Sequence, residues 1–169
     1  DIDMKYIMVS NILISDDFWV LSVERARYKE SLFPGTFNLN LSSSAGLIQL
    51  TDNSNDVLTQ TFLGSNRVLQ IVSGSNGSAY NTTGYVAGSG SYGLFLPDIG
   101  TILLNPAAIS QSIQVDTTKT PNLANGTNQE ILFTAIKSGS AFTLNAQETI
   151  TSDYVFVRSR NAEFNYSTN

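Results

Sequence analysis

The chain has 169 residues, which suits one domain built around one hydrophobic core. Charged residues make up 14% of it and the net charge is −5, which excludes a nucleic-acid-binding surface of clustered Lys and Arg. With no Cys and no His, the sequence lacks thiolate nucleophiles, imidazole bases and the usual ligands of structural zinc. We therefore expect a protein that is not an enzyme and that holds no metal ion and no cofactor.

The extent of the chain bears on its organisation. The longest apolar runs fall short of the ~18 residues that span a bilayer, so we expect no association with a membrane. The chain starts at Asp1 rather than Met and stops at Asn169, directly after the strand-like stretch Glu163–Tyr166. We therefore expect residues 1–169 to form a single β-rich domain that is a piece of a longer polypeptide.

The first half of the chain has the pattern of strands separated by turns. In Phe37–Ser42 apolar and polar residues alternate, which is typical of a strand with one buried face. The runs Leu47–Thr51 and Arg67–Ser73 are mostly apolar and lie between turn-forming residues, which indicates more deeply buried strands. Ahead of them, Pro34 and Gly35 predict a type II turn, because Gly accepts the positive φ that this turn requires.

The middle of the chain predicts two hairpins and a helical turn. Glycines punctuate the Tyr- and Ser-rich region Gly84–Gly93, which suggests a glycine-rich hairpin. Leu94–Pro97 and Thr101–Asn105 follow as two strands joined by a tight reversal. Asn105 is a good N-cap residue and is followed by Pro106, an arrangement that predicts a single helical turn.

One α-helix is predicted near the end, at about residues 128–138. Thr127 and Glu130 have the spacing of a capping box, apolar residues follow in a helical stripe, and Gly139 can supply the left-handed terminus. Tyr154–Arg160 then predicts a last strand, with valines on one face and aromatic and basic residues on the other. The fold class that follows is mainly β, a β-sandwich or Greek-key-like barrel with one short α-helix.

Acidic residues suggest two further kinds of site. Asp16 with Asp17, and Asp52 with Asp56, could serve as acid and base in sugar hydrolysis, but their polar, loop-like settings favour solvated carboxylates. The loop Asp52–Asp56 also has alternating oxygen donors that a calcium ion could use. It lacks the loop length, central Gly and terminal Glu of an EF-hand, so we favour turn formation there.

Aromatic residues offer a third possibility. Tyr80, Tyr85, Tyr92 and Trp19 could stack on sugar rings, which makes carbohydrate binding the best alternative to assembly. In β segments, packing in the core or against another subunit is the more common role of such residues.

Several motifs carry a family resemblance. Residues 24–30, Glu-Arg-Ala-Arg-Tyr-Lys-Glu, precede Ser-Leu-Phe-Pro-Gly; residues 92–100 read Tyr-Gly-Leu-Phe-Leu-Pro-Asp-Ile-Gly; and residues 158–161, Arg-Ser-Arg-Asn, end the last predicted strand. Together with Asn66–Ser73, these segments resemble a large virion structural protein of contractile-tailed phages, especially those of marine and cyanobacterial hosts.

The resemblance implies a building block of the phage particle, in the tail or baseplate. Such a protein would contact other virion proteins and copies of itself as a homo-oligomer, and would be located in the virion after assembly in the cytoplasm of the bacterial host. Aromatic and basic side chains are enriched at protein interfaces. The expected interface residues are Arg25, Arg27, Tyr92, Tyr154, Phe156, Arg158 and Arg160. The alternative is a carbohydrate-binding module of a host-recognition protein.

Overall fold

The computed structural model describes residues 18–80, 91–113 and 127–158. Within these ranges the chain forms eleven strands, two α-helices and a 3-10 turn at Arg25–Arg27. The strands are β1 (Trp19–Ser22), β2 (Ser31–Leu32), β3 (Asn38–Ser43), β4 (Gly46–Asp52), β5 (Thr61–Leu63), β6 (Asn66–Ser75), β7 (Ser78–Ala79), β8 (Gly93–Leu96), β9 (Thr101–Leu104), β10 (Phe142–Thr143) and β11 (Ala146–Gln147). The helices are α1 (Pro106–Ile113) and α2 (Thr127–Gly139). The expected mainly β fold is confirmed.

Nine of these strands form one antiparallel sheet, in the order β1-β9-β8-β6-β4-β3-β10. The remaining two of the nine, β5 and β7, pair with the two ends of the long strand β6. A separate two-stranded sheet joins β2 to β11. The hairpin β8–β9 is the one that the sequence predicted. For β3 and β4 the sequence predicted two strands without pairing them, and the structure joins them in a second hairpin. Each hairpin is closed by a short turn.

The alternation in β3 orients that strand as expected. Leu39 and Leu41 are fully buried, whereas the side chains of Asn38 and Asn40 lie on the half-exposed face. The register of the hairpin places Leu39 opposite Leu50 of β4, so both strands contribute to the same apolar face.

The sheet is strongly curled, and one aromatic contact demonstrates this. Phe37, which directly precedes β3, stacks on Phe95 of β8 with 5.5 Å between ring centroids. In a flat sheet the three strand spacings between β3 and β8 would separate their backbones by about 14 Å. Because side chains stand roughly perpendicular to the sheet, the rings meet only if the sheet bends around the core. Both phenylalanines are fully buried there.

Helix α2 packs against β3 and confirms the helix predicted at residues 128–138. Its buried stripe includes Leu132 and Ala135, which join the main core cluster. The helix ends at Gly139, where an added Cβ would overlap the backbone carbonyl of Asn40. This close approach explains why the helix ends on a residue without a side chain.

Two predictions for secondary structure need correction. Helix α1 has eight residues rather than a single turn. Asn105 caps it, with its Oδ1 accepting hydrogen bonds from the backbone N–H groups of Ala107 and Ala108, and the buried side chain of Ile109 anchors it in the core. This tertiary contact extends the helix.

The predicted last strand, Tyr154–Arg160, is wrong for residues 154–158, which belong to neither a helix nor a strand. Two other predicted elements, the hairpin at Gly84–Gly93 and the strand-like Glu163–Tyr166, lie largely or wholly outside the described residues. Over the part of the chain that is described, no helix is both long and apolar enough to cross a bilayer.

Candidate interaction surface

The C-terminal part of the described chain carries the largest run of exposed apolar side chains. We call residues Ile150–Arg158 the arm; all nine are exposed and none belongs to a helix or strand. Tyr154 is 85% exposed and Phe156 is 99% exposed, as much as in a fully unfolded chain. Such exposure of aromatic and β-branched residues is unusual for a folded protein, so the arm is the candidate interaction surface.

The root of the arm is firmly held. Strand β11 pairs with β2, and just beyond it the ammonium of Lys29 contacts the carboxylate of Glu148 at 2.6 Å. The backbone N–H of Thr149 donates to the carboxylate of Glu30 at 3.0 Å. The first contact raises the pKa of Lys29 through the hydrogen bond and charge of Glu148, and the second lowers the pKa of Glu30. The arm therefore leaves the body at a defined point.

Two of the predicted interface residues, Arg25 and Arg27, lie near this point. A shallow hollow of about 330 Å³ separates Ala26–Lys29 from Ala146–Glu148, and Arg27 lines it. Arg27 is exposed, with its Nε 3.9 Å from the Glu24 carboxylate. Arg25 is more constrained, because its guanidinium lies over the ring of Tyr28 and donates to the carbonyl of Asp98 at 3.2 Å.

The other predicted interface residues are divided between the arm and the core. Tyr154, Phe156 and Arg158 belong to the arm and are exposed. Tyr92 is half-buried and packs against the main core cluster. Arg160 lies outside the described residues. Tyr154, Phe156 and Arg158 therefore lie together on the exposed arm, whereas Tyr92 contributes to the packing of the core.

Strand β1 forms one end of the sheet order, and its outer edge is open in the described structure. Val23 donates its backbone N–H to the carbonyl of Gly100 at 2.8 Å. Because the backbone groups of successive residues in a strand point to opposite sides, Leu21 and Trp19 also direct theirs toward β9. The N–H and C=O groups of Val20 and Ser22 therefore point away from β9. Within the described ranges no strand pairs with them.

Both faces of β1 carry apolar side chains along this edge, and the strand has no charged residue. Trp19 and Leu21 pack against the main core cluster. On the opposite face Val20, 55% exposed, lies across from Leu103, which packs on a smaller cluster with Leu94 and Leu96. Exposed edge strands usually carry charged residues or Pro that block pairing with other chains. β1 contains neither, and this feature of the strand was not predicted from the sequence.

No protein-family model, curated protein or solved structure matches the chain. The interpretation of the surface therefore depends on its geometry and on the motifs of the sequence.

The aromatic residues proposed for sugar stacking do not form one exposed surface within the described residues. Tyr80 is 64% exposed, and its hydroxyl donates a hydrogen bond to Oε1 of Gln49. Tyr92 and Trp19 instead pack against the core cluster, and Tyr85 lies outside the described residues. Tyr80 is thus the one described member of this set whose ring is largely open to solvent.

The acidic candidates have structural partners. Asp52 is fully buried, which corrects the expectation of a solvated carboxylate, and it accepts backbone hydrogen bonds from Gly35 and Ser54 at 2.9 to 3.0 Å. Gly35 has the predicted positive φ, +85°. Asp56 accepts from the backbone of Ala79 at 2.6 Å, and Asp16 and Asp17 lie outside the described residues. In the described ranges no three acidic side chains are grouped to hold a metal ion.

One ion pair that the sequence did not reveal supports the turn between β8 and β9. Arg67 contacts Asp98 through its guanidinium at 2.7 Å and through its backbone N–H at 2.7 Å. Partial burial alone would raise the pKa of Asp98, but the hydrogen bonds and charge of Arg67 outweigh it and lower that pKa. The same guanidinium donates to the hydroxyl of Ser31, so the pair also ties β2 to the sheet.

Proposed function

We propose that this domain is a structural building block of a phage particle, in the tail or baseplate, and that it works through contacts with other subunits. The observation that carries the proposal is the arm, which presents its apolar side chains, including Tyr154 and Phe156, entirely to solvent. Burying each aromatic side chain removes about 150–250 Å² from water. The arm therefore has a strong tendency to be covered by protein.

The sequence supports the same proposal in two ways. Its low charge leaves a surface of hydroxyl and amide side chains that is suited to contacts between subunits, and the absence of Cys and His removes most catalytic groups. The motifs at residues 24–35, 92–100 and 158–161 resemble phage virion structural proteins. Lys29 and Glu30 of the first motif hold the root of the arm, and the second motif covers β8 and the turn that follows it. Arg158 is the last residue of the arm, and residues 159–161 lie outside the described residues. The proposal assigns no reaction to the domain.

The proposal is tested on native particles of the phage that encodes the chain. We expect purified particles to contain the protein at a fixed copy number, and cryo-electron microscopy to place the sheet in a repeated, symmetric position with the arm against a neighbouring subunit. If the protein is absent from purified particles, the proposal is wrong.

Carbohydrate binding is the second candidate, and the position of Tyr80 favours it. The ring is mostly exposed, and the hydrogen bond to Gln49 fixes its orientation, as a sugar-stacking residue requires. A glycan array probed with the full chain and with the Tyr80→Ala variant tests this function. Binding that depends on Tyr80 would support it, and an array without specific signal would exclude it for the glycans displayed.

A further inference from the structure

We propose that the arm of one copy of this chain adds as a strand to the outer edge of β1 in a second copy. The inference rests on the proposed function, because it names the partner and the geometry of the subunit contact. The chain supplies both halves of the contact, a segment that needs a neighbouring strand and a strand with an open edge.

The first half is the arm. Its central sequence, Tyr-Val-Phe-Val at 154–157, consists of aromatic and β-branched residues, the types with the highest strand propensity. The described chain nevertheless forms no strand there. A strand requires a hydrogen-bonded neighbour, and no described strand of the same chain pairs with these residues. The sequence of this segment is therefore suited to a strand, and what it lacks among the described residues is a strand edge to pair with.

The second half is β1. It also has four residues, and Val20 and Ser22 direct their backbone N–H and C=O groups outward, ready to accept a further strand. A strand added at such an edge gains affinity from backbone hydrogen bonds and specificity from alternate side chains. The match in length allows every residue of Tyr154–Val157 to lie beside a residue of β1.

The side chains of the two segments are complementary on both faces. In the arm, Tyr154 and Phe156 would lie on one face of the added strand and Val155 and Val157 on the other, so both faces are apolar. In β1 one face carries Trp19 and Leu21, which pack against the main core cluster. The other face carries Val20, opposite Leu103 of the smaller cluster, and the uncharged Ser22. The added strand would therefore extend both apolar layers without burying a charge.

The reach and area of the arm suit contact with a second copy. Nine residues extend up to about 30 Å, so the arm can cross to a neighbouring molecule from its fixed root at Thr149. Its two aromatic rings alone supply roughly 300–500 Å² of the about 800 Å² per partner found in standard interfaces. Three aliphatic side chains and the backbone ladder supply more. Each copy carries one arm and one β1 strand, so a contact between them can close a symmetric dimer or ring.

Cross-linking between singly substituted copies tests the contact. The natural sequence has no Cys, so Ser22→Cys and Val155→Cys each introduce one thiol, and both positions are exposed. A short bismaleimide is added to an equimolar mixture of the two variants, and the mixed dimer is identified by mass. The matched control replaces the arm variant with Lys137→Cys, an exposed position on α2, which packs at the other end of the sheet.

We expect several-fold more mixed dimer from the Ser22→Cys and Val155→Cys pair than from the control pair. The double substitution Val155→Pro with Phe156→Pro should reduce sedimentation-detected association of the otherwise natural chain, because Pro cannot donate to a ladder. Val155→Thr with Phe156→Tyr, which keeps both N–H groups and similar shapes, should associate as the natural chain does.

Equal yields from the two thiol pairs would overturn the inference, as would unchanged association of the proline variant. These results are separable from the test of function. A chain found at a symmetric position in native particles, with its arm away from β1, would leave the proposed function intact and refute this contact. A chain absent from particles would refute the proposed function whatever the cross-linking yields.

Discussion

Strand β3 and the arm both carry large apolar side chains, but in opposite surroundings. In β3, Leu39 and Leu41 are fully buried, and every residue of the strand is paired with β4. In the arm, Tyr154 and Phe156 are almost completely exposed, and no described strand pairs with them. The difference lies in the availability of a partner strand. β4 follows β3 after a tight turn, whereas among the described residues no strand next to the arm in sequence pairs with it. Apolar pattern alone predicts the tendency to form a strand, and a neighbouring edge decides whether it forms.

The largest expected effect on the free energy of unfolding concerns the buried core beside β3. Replacing Phe37 with Ala removes a fully buried ring that stacks on Phe95, and it leaves a cavity where the sheet curls. We expect the free energy of unfolding to fall by about 3–5 kcal/mol, the usual cost of truncating a core Phe. Urea denaturation followed by tryptophan fluorescence measures the change. A loss below about 1 kcal/mol would mean that the curl does not depend on this contact.

The next effect concerns Asp52, which holds the turn leading into β3. We expect Asp52→Asn to lower the free energy of unfolding by about 1–3 kcal/mol, because the amide loses the charge that strengthens these hydrogen bonds and lacks the second acceptor oxygen that now faces the N–H of Gly35. The control is Asp56→Asn on the same loop, where the carboxylate is exposed and the expected loss is within about 1 kcal/mol. Equal losses in the two variants would contradict the assigned role of Asp52.

These sites show how far the sequence could predict the structure. Patterns within one segment were sufficient for α2, for the separate strands β3 and β4 and for the β8–β9 hairpin, since the signals of these elements are local. They were insufficient for the burial of Asp52, which bonds to the backbone of Gly35, 17 residues away, and for α1, which is lengthened by the packing of Ile109. Such contacts between distant segments leave no local pattern.

The candidate surface was predicted in part for the same reason. Aromatic and basic residues at 154–158 were predicted as interface residues from composition, and the structure shows that they are exposed on the arm. Their role in an interface stays a prediction. Strand β1 was missed, because its apolar residues occupy both faces and give no alternation. Its open edge follows from the strand order, which brings together β1 and β9, segments about 80 residues apart.

The ion pair between Arg67 and Asp98 predicts a dependence on pH for the folded body. The pKa of Asp98 is lower in the folded chain than in the unfolded one, so its contribution is complete above the unfolded pKa of about 3.9 and is lost as the pH falls through the folded value. We expect Asp98→Asn to remove about 1 kcal/mol at pH 7, after allowance for partial exposure of the pair.

The same variant should lose less stability than the natural chain between pH 5 and pH 3, because the titrating group is gone. Urea denaturation at several pH values measures both curves. Parallel curves for the natural chain and the variant would show that Asp98 does not carry this pH dependence. The pair belongs to the body and not to the arm, so the association of copies through the arm should not change with Asp98→Asn.

The smallest effect on stability is expected at the most exposed aromatic residue. Phe156→Ala should leave the free energy of unfolding of the monomer within about 0.5 kcal/mol, because the ring is 99% exposed and its loss creates no cavity. Association of copies should weaken by about tenfold or more, since truncating an aromatic anchor at an interface commonly costs 2 kcal/mol or more. Sedimentation over a range of concentrations measures the association, and Ser152→Ala on the same arm is the control. If Phe156→Ala lowered the monomer's stability as much as Phe37→Ala, the ring would have a partner within its own chain, and the contrast between β3 and the arm would be lost.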